Sequence, residues 1–419
     1  MDLQGAFTGV KVLAVARVVA APFAAYQLAM HGADVIHIEN PNEGDSARTS
    51  GNLVTPFHKA GMAYNFLAYN ANKRSITLAI NTPAGQEVFR RMAVSADVVI
   101  ENLRGGTMAR YGLGYEDLKK INPRIIFCSV TGYGQTGPKK SDPAIDGVIQ
   151  AVSGMMSITG TPETGPLKSG STIVDYTTGY AAALGIATAL FQRTRTGVGQ
   201  AIDVAMLETA ITMMGGEVLR AIAADETPPL VGNGSGKGGY VSDTYRCKEG
   251  HLSIAAGAPA RREKLWKAID ATDIPRDPRF ATDAAVAKNM KALNEEIERR
   301  LSTRTAAEWE VILNEAGVAA MEVIPLARAV HHPQLEHRQF FHKFDDPAAS
   351  GLPPFAVPTS PYRLSASPAE IRSMPPRHGQ HTDEVLTEHG FSREEIAGLH
   401  AEGVVSAMKP ATDKAAAED

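Results

Sequence analysis

Asp175 is the residue whose type and surroundings offer the most chemistry. It stands in Gly170-Ser171-Thr172-Ile173-Val174-Asp175-Tyr176-Thr177-Thr178-Gly179, where a short β-branched run ends and a long apolar helix begins. A helix N-terminus favours negative charge through its macrodipole and its free N–H groups. A carboxylate placed there is a candidate nucleophile. It is also a candidate helix cap, because aspartate is among the best capping residues. The two roles compete, since a capping carboxylate is tied up by N–H groups. From spacing alone the cap is the simpler reading.

Two further groups could carry chemistry. In Gly232-Asn233-Gly234-Ser235-Gly236-Lys237-Gly238-Gly239, glycines expose backbone N–H groups that can approach an anion or a covalent intermediate. A flexible linker between domains fits the same segment equally well. It lacks the Gly-Lys-Ser/Thr ending of a P-loop, and no GxGxxG follows the first strand, so nucleotide hydrolysis and NAD chemistry are poorly supported. The second group is Lys73, Arg74, Arg104 and Arg110, cations near strand ends that suit a phosphate-rich ligand. For any one of them alone a solvated face is the simpler reading; several together point more towards a ligand.

These residues need a frame, and the chain supplies an α/β one. Val10–Val15, Asp34–Glu39, Ser75–Leu78, Asp97–Glu101 and Ile125–Val130 read as strands. Helical segments separate them: one after Pro22, one opened by Thr82 as N-cap with Pro83 at N1, and one from Tyr115. Strand, helix, strand at this spacing is the βαβ signature of a parallel, doubly wound sheet. Gly179–Arg193 reads as a tightly packed small-residue helix, and Met206–Ala223 as another. We expect residues 1–224 to form the large domain. Pro228-Pro229 and the glycine segment mark a boundary, with a smaller α+β domain over 225–330. Its strands are Ser242–Cys247 and Leu252–Ala256, and its helices include Asn294–Leu301 and Ala306–Ala316. A Pro-rich stretch, 351–376, then leads into a C-terminal region, with 331–419 read as linker and tail and the residues from Ala411 frayed.

Composition narrows the function. The 419 residues are 44% hydrophobic and 21% charged, an ordinary globular balance. A net charge of −4 argues against nucleic-acid binding. The two cysteines, Cys128 and Cys247, support neither a disulfide framework nor a cysteine zinc site, and fit a reducing cytoplasm. No metal is expected, because the 12 histidines show no ligand spacing and His331-His332 precedes Pro333. No signal peptide is expected, since Met1-Asp2-Leu3-Gln4 opens no basic region followed by a long apolar run, and no membrane span, since charges interrupt the apolar runs Val10–Met30 and Val174–Leu190.

Seven segments, in order along nearly the whole chain, resemble the family III CoA-transferases, the superfamily that includes formyl-CoA transferase and α-methylacyl-CoA racemase. They are Gly9-Val10-Lys11-Val12-Leu13, Gly32–Glu39, Asn72-Lys73-Arg74-Ser75-Ile76, Ala96–Asn102, Gly132–Pro138, Thr196–Gln200 and His381–Leu386. The resemblance implies a Rossmann-like large domain joined by the C-terminal tail, a smaller α+β domain, and an interlocked homodimer. It implies coenzyme A, carried as an acyl-CoA co-substrate, and a small carboxylic acid as partners. It makes Asp175 the catalytic aspartate, forming an acyl anhydride and then an aspartyl-CoA thioester, and so reverses the cap-first reading. Gly236, Gly238 and Gly239 resemble the glycine loop that folds over that aspartate. Val18, Ala20, Lys73, Asn102, Arg110 and Met206 match positions around the coenzyme. Arg48, Tyr133 and Tyr176 are candidates for holding the substrate acid. Asn40 stands where many members carry a basic residue or Pro, which puts one phosphate contact in doubt; Val19 and Thr131 stand where formyl-CoA transferase has Gln and Lys, which puts formyl and oxalyl specificity in doubt.

Within the superfamily a racemase needs a second acid/base group, because it removes a proton on one face and returns one on the other. Racemases carry histidine where this chain has Ile145, in Ala144-Ile145-Asp146-Gly147. That favours a transferase over a racemase. Asp146 is expected to make local hydrogen bonds. A non-catalytic CoA-binding protein is a third reading, disfavoured by the presence of both Asp175 and the glycine segment. The acid itself is not readable from the sequence; succinyl-CoA and small dicarboxylates are the first expectation.

Overall fold

The computed structural model describes residues 5–51, 54–234 and 241–406. Within these the chain forms two compact units. The described residues within 1–153, 169–214 and 334–419 make up one; those within 154–168 and 215–333 make up the other. These bounds differ from the expected cut at 224/225. The expected helix over 206–223 breaks at Met214–Gly215, where Gly215 takes a φ of +40°, and its second half groups with the other unit. Residues 154–168 do so as well.

The first unit is built on six parallel strands: β1 Lys11–Val15, β2 Asp34–Glu39, β3 Lys73–Thr77, β4 Val98–Glu101, β5 Ile126–Thr131 and β6 Ala201–Ala205. Their spatial order is β3-β2-β1-β4-β5-β6. Strands buried on both faces read as near-continuous apolar runs, and both faces are covered here. Leu13, Val15, Ile36, Ile76 and Val99 pack with residues of the helices Pro83–Ala93, Tyr115–Ile121, Thr382–Glu388 and Arg393–Ala401. Val12, Ala14, Val35 and Ile100 face the helices α1, Ala20–Met30, and α2, Ile173–Thr196. The expected cap of the Pro83 helix is present: Thr82 Oγ1 accepts from the Gly85 N–H at 3.1 Å.

Strand β3 is an edge strand, and its outer side is taken by chain from far along the sequence. The His381 N–H donates to Ser75 O at 2.9 Å, the Ala79 N–H to Val404 O at 2.8 Å, and the Thr77 N–H to Thr382 Oγ1 at 3.2 Å. Pairing of this kind removes an unpaired backbone row that would otherwise be open to another chain.

The second unit holds three antiparallel strands, Val241–Arg246, His251–Ala256 and Ala319–Glu322. They pack with the helices Pro259–Ala268, Met290–Leu301 and Ala306–Glu315 around Leu265, Trp266, Ile297 and Trp309.

Candidate active site

The strand order reverses between β1 and β4, and open parallel sheets bind ligands outside the carboxyl ends of the strands at such a reversal. A cavity of about 260 Å³ lies there, lined by Ala16, Arg17, Asn40, Asn81, Thr107 and Tyr111 among others. The loop after β1 is fastened on two sides. Asn102 accepts the Arg17 N–H at 2.9 Å and returns a bond to Arg17 O at 2.8 Å. Asp45 accepts the Val18 N–H at 3.0 Å. Val18 has a φ of +66°, a costly conformation for a β-branched side chain, so this loop is held rather than relaxed.

Beneath the loop lies a buried polar cluster. Arg48 forks onto Glu39, Nε to Oε1 at 2.7 Å and Nη2 to Oε2 at 2.8 Å, with its guanidinium 3.7 Å from the centre of the Phe66 ring. Burial raises the Glu39 pKa, but the charge and hydrogen bonds of Arg48 outweigh it and leave the carboxyl well below its ordinary range. Lys73 is 2% exposed and donates to Pro22 O and Asn70 Oδ1, both at 2.7 Å. Burial lowers its pKa to about 7, against the pull of Asp45 and Glu39. Arg48 and Lys73 are therefore spent on the fold. Arg48 was expected to face a substrate acid and Lys73 the coenzyme, and here each is engaged by partners within the fold.

Asp175 lies in the first turn of α2. The cap residue Thr172 makes no side-chain cap bond, and it is Asp146 that takes the amides. Asp146 Oδ2 accepts from the Val174 N–H at 2.8 Å and from the Asp175 N–H at 3.0 Å. Among the described residues nothing donates a hydrogen bond to the Asp175 carboxylate. Burial, and then the like charge of Asp146, raise the Asp175 pKa to about 7.

Gly179, one turn further, sets the approach of α2 to α1. A Cβ there would stand 2.7 Å from Ala20 O and 2.8 Å from Phe23 Cδ1. The Tyr176 ring packs edge-on against Phe23, with centroids 4.9 Å apart. Asp175 is thereby held near the start of α1, which leaves the sheet at the end of β1. Gly179→Ala is expected to lower stability by about 1–3 kcal/mol and, by shifting Asp175, to lower kcat by up to about a hundredfold. Thermal melting and steady-state rates check this; a variant with wild-type melting and kcat would refute the close approach.

The other expected residues fall as follows. Ala20 is buried at the head of α1, and Met206 is buried directly after β6. Arg110 is exposed and bonds Thr107 Oγ1 at 2.8 Å, beside the cavity. Tyr133 is half-buried in the loop after β5, with the Lys139 ammonium 5.5 Å from its ring centre. Ile145 is 70% exposed. Gly236, Gly238 and Gly239 lie outside the described residues. Sequence reading missed Asn81, Thr107 and Tyr111 as cavity residues; their place just after β3 and β4 was the available signal. Among the described residues no group of three or more His, Cys, Asp or Glu side chains could hold a metal ion.

The first unit thus has a parallel α/β sheet with a cavity at its strand-order reversal, and a carboxylate with no hydrogen-bond donor among the described residues in the first turn of α2. The chain belongs to CoA-transferase family III, whose family model matches residues 7–382. It is 32% identical over 394 residues to the succinyl-CoA:glutarate CoA-transferase of Mus musculus, covering 92% of this chain and 87% of that one. It is 32% identical over 415 residues to the succinyl-CoA–L-malate CoA-transferase beta subunit of Chloroflexus aurantiacus, covering 95% and 97%. A CaiB/BaiF family protein of Brucella suis has a solved structure that matches with a TM-score of 0.81 at 33% identity, over 92% of this chain and 100% of that one.

Proposed function

We propose that this protein transfers coenzyme A from succinyl-CoA to a small dicarboxylic acid, with Asp175 as covalent nucleophile. The observation that carries the reading is the Asp175 carboxylate itself: half-buried, bonded to no donor among the described residues, and raised to a pKa of about 7. The Asp175 oxygen attacks the thioester carbonyl, the C–S bond breaks, and a mixed anhydride and a CoA thiolate result. The thiolate attacks the aspartyl carbonyl of the anhydride, which releases the donor acid and leaves an aspartyl-CoA thioester. The acceptor carboxylate attacks that thioester and frees the thiolate again. The thiolate then attacks the acceptor acyl carbonyl, giving the new acyl-CoA and restoring the Asp175 carboxylate. Splitting one exchange into such steps is the gain of covalent catalysis. The oxyanions call for N–H donors, and Gly236, Gly238 and Gly239 are the donors that the family resemblance offers.

The named activities of the relatives support succinyl-CoA and a dicarboxylic acceptor. The exposed Ile145 carries no proton, which supports transfer over racemisation. The strand order supports a Rossmann-like unit that binds the coenzyme at its reversal, with Asn102 and Val18 shaping the loop and Arg110 near the phosphates. Tyr133 and Tyr176 are assigned to the acyl side. Exposed apolar side chains on α2, Leu184 and Phe191, support a homodimer. Two buried free thiols fit the cytoplasm, and no helix among the described residues is long and apolar enough to cross a membrane.

Intact-mass spectrometry after mixing the protein with succinyl-CoA tests the reading. A CoA-sized adduct mapping to the peptide that contains Asp175 is expected. Absence of any adduct across a panel of acyl-CoAs, with deuterium uptake at the α-carbon of a branched acyl-CoA, would overturn it in favour of a racemase.

A further inference from the structure

We propose that Asp146 is a positioning residue: it claims two first-turn amides of the helix Ile173–Thr196, those of Val174 and Asp175, and so keeps the Asp175 carboxylate free to react. The inference rests on Asp175 being the nucleophile. An aspartate in the first turn of a helix is ordinarily drawn to the free N–H groups there. A carboxylate occupied in that way is a weaker nucleophile, because its lone pairs are already engaged. Here the task of capping has been handed to a second carboxylate, 29 residues earlier in the chain.

The geometry of that second carboxylate is fixed on every side. Asp146 is 5% exposed. Its Oδ2 takes the Val174 and Asp175 amides, while its Oδ1 accepts from Gln150 Nε2 at 2.5 Å. Gln150 is buried as well, and its Oε1 accepts the Ser169 N–H at 2.9 Å. The Gln150 amide therefore has a donor to satisfy on one side and an acceptor on the other, and it cannot flip without losing both. Ser169 lies in the segment that leads into the helix, so one chain of bonds ties Asp146, Gln150 and the helix start together.

A second effect follows from the same placement. Asp146 is a negative charge beside Asp175, and two nearby carboxylates resist joint ionisation. Among the described residues the other titratable groups that face Asp175 are Tyr69 and Tyr176, whose own pKa values burial pushes upward, so they stay neutral through the working range. Asp146 is thus the charged neighbour that raises Asp175 beyond what burial does. A more basic carboxylate attacks a thioester more readily, provided the pH is high enough to ionise it, and a value near the working pH balances the two.

Carboxylate-labelled protein followed by carbon NMR over pH reads the Asp175 titration directly, with Asp175→Asn assigning the signal. Asp146→Asn keeps the shape and removes the charge; its oxygen can still accept the two amides, while its NH2 replaces the acceptor that Gln150 Nε2 now uses. We expect Asp175 to titrate lower in it by about half a unit or more, and the acidic limb of kcat/KM to move down with it. Asp146→Ala leaves the amides unclaimed and lets Asp175 turn back to cap them. Its kcat is expected to fall about tenfold or more, with KM for the acyl-CoA within about twofold. Circular dichroism confirms that each variant is folded. A merely structural Asp146 would lower the melting temperature of both variants and leave the Asp175 titration where it is in the wild type; that result overturns the proposal. So does a folded Asp146→Ala with wild-type kcat. The nucleophile reading fails separately, by the absence of an aspartyl-CoA adduct in the wild type, whatever the NMR shows.

Discussion

Asp175→Asn is expected to lower kcat by about 10⁴-fold or more and to abolish the aspartyl-CoA adduct, while making the protein more stable at neutral pH. The two effects have one origin. Asparagine keeps the size and shape of the side chain but has no carboxylate oxygen able to form the anhydride. No hydrogen bond of the fold is lost, since among the described residues none reaches the Asp175 carboxylate. The stability gain comes from linkage. In the fold the Asp175 pKa is raised from 3.8 to about 7 by burial and by Asp146. The native state therefore binds a proton that the unfolded chain releases, and wild-type stability falls as pH rises between those two values. The asparagine variant has no such loss. Its advantage in chemical denaturation should be absent at acid pH, grow through that window and level off above it. Equal stability of the two proteins at pH 8 would show that Asp175 is not held in a hostile environment.

Arg48→Met should have the largest effect on folding. It leaves Glu39 buried without its cation, and breaking one side of a buried ion pair typically costs about 3–5 kcal/mol. Ser75 Oγ and the Asp45 N–H still donate to Glu39, at 2.6 Å and 3.0 Å, which limits the damage without replacing the charge. In the wild type the Glu39 pKa is depressed in the fold. The pair's contribution is therefore full above the ordinary carboxylate range and is lost as pH falls through the depressed value. In Arg48→Met the sign inverts: Glu39, buried without a partner, is better tolerated protonated, so mild acid should narrow the gap to wild type. The double variant Glu39→Gln/Arg48→Met should recover part of the loss, because it leaves no uncompensated charge. Melting curves at two pH values measure all three. A stable Arg48→Met protein with a raised KM for the acceptor acid would instead return Arg48 to the substrate role suggested by its sequence position.

Arg48 also marks where sequence reading stops. The strand Asp34–Glu39 was legible at its observed bounds because its apolar run is bracketed by polar residues, and Thr82-Pro83 announced its helix chemically. The last strand, Ala201–Ala205, was not legible: it lies at the sheet edge, is mostly open to solvent, and carries Asp203 in mid-run. In the site, Asp175 stood out by type and position. What could not be read was which of two carboxylates caps the helix, because Asp146 reaches it only through the fold. Arg48 and Lys73 have the charge of ligand-binding residues. Their burial depends on Glu39, Pro22 and Asn70, and no local pattern reports that.

The backbone of β3 is completed by residues that the ribosome delivers very late. His381 follows Ser75, its hydrogen-bonding partner, by 306 positions. During synthesis the first unit can assemble its inner strands, but one margin of its sheet stays open until the whole second unit has been made. An open strand margin is a template for pairing with another chain, and long-lived partly folded species are where aggregation begins. The growing protein therefore carries its greatest hazard in the interval before residues 381–406 arrive. Slow translation through the second unit, far from any catalytic group, would reduce the yield of native enzyme.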